Sequence, residues 1–226
     1  MLKKSSNFMI FAHPRSGSSQ LRNIFIANGL NIIYEPFNQD LEVAKYYPIL
    51  MEKGIEESLR LMQQEALGFK HIWEQVHYRE NDFLLGRLPT ILLWRENTLD
   101  MAISYWVSHQ TQIWEGVGVE YSTKIRLKPE RVSIYIHRMA QDLERYKRKA
   151  VGAFHLTYEQ IFGPDGLDHV AAALRFVGGD ITNLEETRRL LRPELKQNQK
   201  PWSEVIENWD EVIAHLGTKN IRLPKK

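Results

Sequence analysis

The sequence predicts an α/β fold of three layers, a mostly parallel central sheet flanked by helices, and three observations carry that expectation. Short apolar runs alternate with longer amphipathic ones along the 226 residues. Two of the short runs, FMIFA at Phe8–Ala12 and TILLW at Thr90–Trp94, are close to continuously apolar, as strands covered on both faces must be. No internal repeat, low-complexity segment or Gly/Ser linker divides the chain, and its length suits one substantial core, so residues 1–226 are expected to form a single domain.

Phe8–Ala12 is the first strand. Leu21, Ile24, Phe25 and Asn28 follow at helical spacing and stop at Gly29, so a first helix opens at the serines of the intervening loop. Further strands are expected at residues 31–34, 67–72, 90–94 and 153–157. Pro129 starts a long helix with Val132, Tyr135, Ile136, Met139 and Leu143 on one stripe, and the basic RYKRK at its end complements the helix dipole. Residues 167–176 make another helix, closed by Gly178 and Gly179. From Ser203 onward, Val205, Ile206, Trp209, Val212, Ile213 and Leu216 share one stripe, which predicts a tail docked on the body. The stretch 107–128 has no clear period and is either a lid or substrate wall, or a surface excursion with a short helix.

Composition narrows the chemistry. The 30 Lys and Arg nearly balance 28 Asp and Glu, which argues against a surface that coats nucleic acid and leaves room for one small anionic ligand. With no cysteine, disulfides, thiolate nucleophiles, Cys-ligated zinc and iron–sulfur clusters are excluded, and no His-x₃-His pattern suggests a metal. The opening MLKKSS is basic, but the apolar run after it is too short for a signal peptide and breaks at Pro14-Arg15. No other run approaches the ~20 residues of a membrane span, so a cytoplasmic protein is expected.

The chemistry concentrates in HPRSGSSQL, residues 13–21. A strand, a loop of small residues and a helix start bring backbone N–H groups and the positive end of a helix dipole to one point, which is an anion site. Yet the nucleotide-triphosphatase loop G-x-x-x-x-G-K-[ST] is not matched, since the stretch has one glycine and no Gly-Lys-Ser/Thr. In its place stand Arg15 and the hydroxyls of Ser16, Ser18 and Ser19 around Gly17. The other hallmark of those enzymes, an apolar strand ending in a metal-binding Asp, is also changed, because TILLW ends in Arg95. Arginine is a fixed charge whose fork matches tetrahedral oxyanions.

PRSGSS resembles the 5'-phosphosulfate loop of sulfotransferases that use 3'-phosphoadenosine-5'-phosphosulfate (PAPS). The resemblance implies a P-loop NTPase-like sulfotransferase fold, with Arg15, Ser16, Gly17, Ser18, Ser19 and Gln20 around the phosphosulfate. Arg15 stands where some branches carry a catalytic lysine. LLWRENTLDMAISYW is similar to the second family signature, an arginine at a strand end and a serine in the next helix that together bind the donor's 3'-phosphate. By that likeness the pair is Arg95 and Ser104, at a spacing of nine, one more than in many animal members and closer to the bacterial ones. YEPF resembles the place after the second strand where carbohydrate and tyrosyl-protein sulfotransferases carry a glutamate base, which implies Glu35 as general base. GFKHIWEQ, LTYEQIFG and the closing NQKPWSEVIENWDEVIAHLG are similar to bacterial members, so the likeness runs from residue 8 to residue 217.

The resemblance implies PAPS as sulfuryl donor, 3',5'-bisphosphoadenosine (PAP) as product, no metal, and a hydroxyl (less often an amine) of a small molecule or carbohydrate as acceptor. Lys196 and Lys200 then belong to the loop that closes over the 3'-phosphate, or to a solvated loop. Tyr158 either stacks near the adenine or is core. His71 is a second candidate base, with a buried hydrogen-bonded side chain as the alternative; His13 reads as a strand-end residue that orients the loop, and His109 is a weaker candidate. Trp73, Trp106 and Trp114 line an acceptor pocket or fill the core. Two other functions fit the residues: phosphoryl transfer by a degenerate P-loop, and anion or partner binding without catalysis. The acceptor is set by the irregular segments 38–66 and 107–128.

Overall fold

The computed structural model describes residues 7–40, 45–114, 121, 123–192 and 200–219. Strands β1 (Phe8–Ala12), β2 (Ile32–Tyr34), β3 (Gly68–Ile72), β4 (Thr90–Trp94) and β5 (Phe154–Thr157) pair in parallel in the order β2-β3-β1-β4-β5. The helices are α1 (Ser18–Ala27), α2 (Tyr46–Lys53), α3 (Ile55–Glu65), α4 (Tyr78–Leu85), α5 (Thr98–Thr111), α6 (Pro129–Lys149), α7 (Tyr158–Ile161), α8 (Gly166–Phe176), α9 (Leu184–Leu190), α10 (Trp202–Val205) and α11 (Trp209–Thr218). Every expected strand is present, within a residue at each start.

Because side chains alternate along a strand, β1 feeds two cores at once. Phe8, Ile10 and Ala12 pack with Leu21, Ile24 and Phe25 of α1 and Val170 and Leu174 of α8. Met9 and Phe11 face the opposite way, into a larger cluster with Leu59 and Met62 of α3, Val132, Ile136 and Met139 of α6, and Val212 and Leu216 of α11. These are the three expected layers. In an all-parallel sheet the strands' C-terminal ends share one edge, where connections to the helices leave a crevice. The loop after β1 opens there, and so do the chain segments after the other strands.

The tail differs from the single stripe its spacing predicts. It docks, but the helix breaks at Ile206, which forms a parallel bridge with Ile125. Ile125 N–H donates to Val205 O and Glu207 N–H to Ile125 O, while Ile206 N–H closes the last turn of α10 on Trp202 O. Asn208 then clamps Leu127 through both its amide and its oxygen. Of the stretch 107–128, α5 occupies the start and the Ile125–Leu127 end is tied to the tail; residues 115–120 and 122 lie outside the described residues.

Gly68 sets how closely β3 approaches β1. A Cβ there would stand 2.7 Å from the Phe8 ring, which is itself fully buried. Gly68→Ala should therefore lower stability by about 1–3 kcal/mol through overpacking, read as a shift in the urea midpoint. An unchanged midpoint would show that Phe8 turns aside freely.

Candidate active site

The loop between β1 and α1 is shaped by its own hydrogen bonds. His13 N–H continues the sheet by donating to Leu93 O, and the buried Ser16 hydroxyl donates back to His13 O at 2.6 Å. Arg15 (φ 61°) and Gly17 (φ 83°) both have left-handed backbones. At Gly17 a side chain is also excluded by contact, since a Cβ would lie 3.0 Å from the Tyr158 ring and 3.1 Å from Phe162. α1 starts at Ser18, with no side chain capping it and no acid in its first turn, so its end stays electropositive.

A residue that sequence reasoning missed stands beside this loop. Lys70, in the middle of β3 and 2% exposed, reaches across on the α1 side of the sheet. Its ammonium donates to Ser19 Oγ at 2.9 Å, pairs with Glu35 Oε1 at 2.5 Å and lies 4.2 Å from the centre of the Tyr34 ring. Glu35 follows β2 in a left-handed conformation (φ 40°), and its other oxygen accepts from Asn38 Nδ2 and Gln75 Nε2, both at 2.7 Å. Burial alone would push the Glu35 carboxyl up, but the Lys70 charge and the hydrogen bonds from Lys70, Asn38 and Gln75 outweigh it and hold the group below its ordinary value. The carboxylate predicted as a base is thus next to the loop and ionised.

The second signature meets the first. Arg15 Nε donates to Ser104 Oγ at 2.9 Å, across 89 residues of chain. One turn earlier on α5, Asp100 accepts from Arg95 Nη2 at 2.8 Å, so successive turns of one helix receive the strand-end arginine and the loop arginine. Arg95 also lies 4.4 Å from the centre of the Tyr158 ring, the ring that closes on Gly17. Its Nε is buried and has no hydrogen-bond partner among the described residues; it pairs at 4.0 Å with the Glu159 carboxylate.

Not every predicted residue comes to this place. Gln20 turns toward α9 and donates to Leu190 O at 2.6 Å. His71 lies on the face of β3 opposite Lys70, fully buried against Phe11 and Phe37, where its Nε2 meets Asn81 Oδ1 at 2.8 Å. It is sealed in the core rather than brought to the loop, since neighbouring strand residues point to opposite faces. Lys200 is exposed just before α10, and Lys196 lies outside the described residues. His13 stands at the strand end as expected, and its Nδ1 must donate to Pro14 O, a carbonyl that only accepts. Among the described residues no group of three or more His, Asp or Glu is placed to hold a metal ion.

No family model and no curated protein matches the sequence. Among solved structures, mouse sulfotransferase SULT7A1 in complex with PAP is similar over 95% of this chain and 83% of that one, with a TM-score of 0.54 at 11% identity. The chain has a sulfotransferase fold. At that identity the likeness concerns the arrangement of strands and helices, and the side chains are this chain's own. Within the sulfotransferase fold, Arg15, Ser104, Arg95, Tyr158, Lys70 and Glu35 share one edge of the sheet. No helix among the described residues is long and apolar enough to cross a membrane.

Two buried histidines give the fold an acid limit. Burial pushes His13 down to about 3 against the Pro14 hydrogen bond, and His71 down to about 4 against the Asn81 one. Both are lowered from 6.5, so the unfolded chain binds more protons below that value and stability falls as pH falls. Glu35 adds to the same limb at still lower pH. The unfolding free energy read from urea titrations should decline from pH 6.5 downward, by roughly 3 kcal/mol for His71 once pH passes its folded value. A flat profile between those two values would show the rings to be less sealed than they stand.

Proposed function

We propose that the protein is a PAPS-dependent sulfotransferase that moves a sulfuryl group to a hydroxyl, or less often an amine, of a small molecule or carbohydrate. The observation that carries this reading is the Arg15–Ser104 hydrogen bond, because it joins two sequence signatures of the family that are far apart in the chain. A fold likeness to a PAP-bound sulfotransferase supports it. Its setting in this reading is the cytoplasm, in keeping with a chain that has no cysteine.

The residues suit a donor with phosphates at both ends. The loop offers Arg15, Ser18 and Ser19 at an uncapped helix start, and Arg95 offers a buried Nε–H that makes no hydrogen bond among the described residues. When bound, the donor supplies a sulfuryl group already attached to a good leaving group. The chain's part is to bind, orient and handle one proton. Glu35, ionised and fixed by Asn38 and Gln75, takes the proton from the acceptor hydroxyl, a contribution of roughly 10²- to 10⁴-fold. Lys70 and Arg15 offset negative charge at the loop, where one positioned donor is commonly worth about 10²- to 10³-fold. Tyr158 packs the loop against Arg95.

The test begins with a thermal shift. PAP should raise the melting temperature without a metal, while ATP with Mg²⁺ should not, since a ligand that binds only the native state stabilises it. Stabilisation by ATP-Mg²⁺ alone would move the protein to phosphoryl transfer. Glu35→Gln should cut turnover at saturating donor by about 10²-fold or more while PAP affinity holds; near-normal turnover would remove Glu35 as the base. Arg95→Ala should weaken PAP binding by at least roughly tenfold, as expected for a charge-assisted contact, and an unchanged calorimetric affinity would refute that role.

A further inference from the structure

Beyond the loop, α5 and α6 build an aromatic wall that ends in a carboxyl group. Tyr105 stacks on Tyr135 with ring centres 4.1 Å apart and planes 16° from parallel. Trp114 meets Tyr105 edge-on at 5.9 Å and is 40% exposed, and its carbonyl accepts from Arg15 Nη1 at 2.6 Å, so the wall starts at the phosphate loop. At the far end the Tyr135 hydroxyl donates to Glu74 Oε2 at 3.4 Å. Glu74 follows Trp73, whose ring touches that of His13 at 4.7 Å, and His13 in turn begins the loop.

Two features of this wall are unexplained by packing alone. His13 Nε2 and Trp73 Nε1 belong to side chains 2% exposed, yet neither has a hydrogen-bond partner among the described residues, and Trp106 Nε1 on the same wall is in the same condition. Buried polar atoms are almost always satisfied, so a cluster of orphans marks a place that a ligand or water completes. With its Nδ1–H given to Pro14 O, His13 presents Nε2 as a bare acceptor. The second feature is Glu74 itself. Its nearest cation is Arg138 at 3.9 Å, which is 62% exposed and also faces Asp142 at 3.7 Å. Burial pushes the Glu74 carboxyl up to about 7, and Arg138 offsets only part of that. A carboxylate in this position gains from a cation brought by a ligand.

We infer that the acceptor is an aromatic hydroxy compound carrying a protonated amine, its ring along the Tyr105–Trp114 wall, its ammonium at Glu74 and its hydroxyl toward Arg15 and Glu35. Aromatic faces favour both a flat ring and a nearby cation, while Glu74 and His13 Nε2 supply acceptors for ammonium hydrogens. The fate of the hydroxyl rests on the sulfotransferase reading; the amine subsite does not.

Calorimetric binding to the full chain, without donor and then with PAP, tests this with three phenols of one size: tyramine, 4-ethylphenol and 3-(4-hydroxyphenyl)propionate. Tyramine should bind at least about tenfold more tightly than 4-ethylphenol, and the propionate most weakly. Glu74→Gln should bring tyramine to the level of 4-ethylphenol while the affinities for 4-ethylphenol and PAP stay as they are. Equal wild-type affinities for tyramine and 4-ethylphenol overturn the amine subsite, as does a Glu74→Gln variant that binds PAP normally and loses both phenols alike. PAP binding without tyramine preference sinks this inference alone. Tyramine preference without PAP binding sinks the donor reading and leaves the subsite in place.

Discussion

Lys70 holds an ammonium out of water in the middle of a sheet, and the arrangement of the site follows from keeping that charge paired. Desolvating two ions costs several kcal/mol each, and the pair repays it only with close contact and further hydrogen bonds. Here Glu35 supplies the contact, Ser19 Oγ accepts a further hydrogen bond from the ammonium, and Asn38 and Gln75 donate to the other oxygen of the carboxylate. The strand order makes this possible, because β3 lies between β2, which delivers Glu35, and β1, which delivers the loop. Loss of one partner strands a buried charge, typically at a cost of about 3–5 kcal/mol, so the pair ties loop, sheet and carboxylate into one unit.

The same edge of the sheet gathers strain. Among the described residues only Arg15, Glu35 and Gln112 are non-glycine residues with positive φ. Such backbones persist where the surroundings over-determine them, at a cost of order 1–3 kcal/mol each. Arg15 is held by its bonds to Ser104 and Trp114 O, and Glu35 by its side-chain partners and by its N–H on Lys70 O. Two of the three strained residues are therefore the loop arginine and the carboxylate of the proposed base. Strand ends that share an edge explain why residues from five separate segments converge there.

Much of this was legible in the sequence, and the exceptions have physical reasons. Apolar runs located the strands because a sheet covered on both faces leaves no polar position to confuse them. PRSGSS and Arg95 stood out because arginine and glycine are conspicuous beside an anion site. Lys70 did not, although a lysine inside GFKHI, a strand that should be buried on both sides, needed a counter-charge and pointed to one. Its neighbour His71 drew attention by residue type, yet alternation on the strand sends the two to opposite faces, and the register decides which meets α1. The broken tail was hidden for a different reason. Periodicity reports which residues face the core, and a bridge to Ile125 depends on a partner some 80 residues away, about which local spacing is silent. The stretch 38–66, expected to be irregular, instead carries α2 and α3, with Leu59 and Met62 of α3 buried at a helical spacing that the sequence reading passed over.

Charge along the crevice is divided rather than merely positive. Arg15, Lys70 and Arg95 stand on the loop side with Glu35, Asp100 and Glu159, three cations to three carboxylates, so in the proposed reading the pull on an anion comes from the uncapped start of α1 and from how the arginine donors are aimed, not from net positive charge. Glu74 lies at the other end of the aromatic wall, where among the described residues its ion-pair partner is the mostly exposed Arg138 at 3.9 Å. In the proposed reading this division selects by penalty as well as by attraction. An acceptor bearing a carboxylate at its far end would have to desolvate beside Glu74 and compete with it and Asp142 for Arg138, whereas a cation there relieves a carboxyl that the fold already keeps at a cost. Discrimination of that kind needs no contact unique to the right acceptor, because the wrong charge is excluded by what it leaves unpaired.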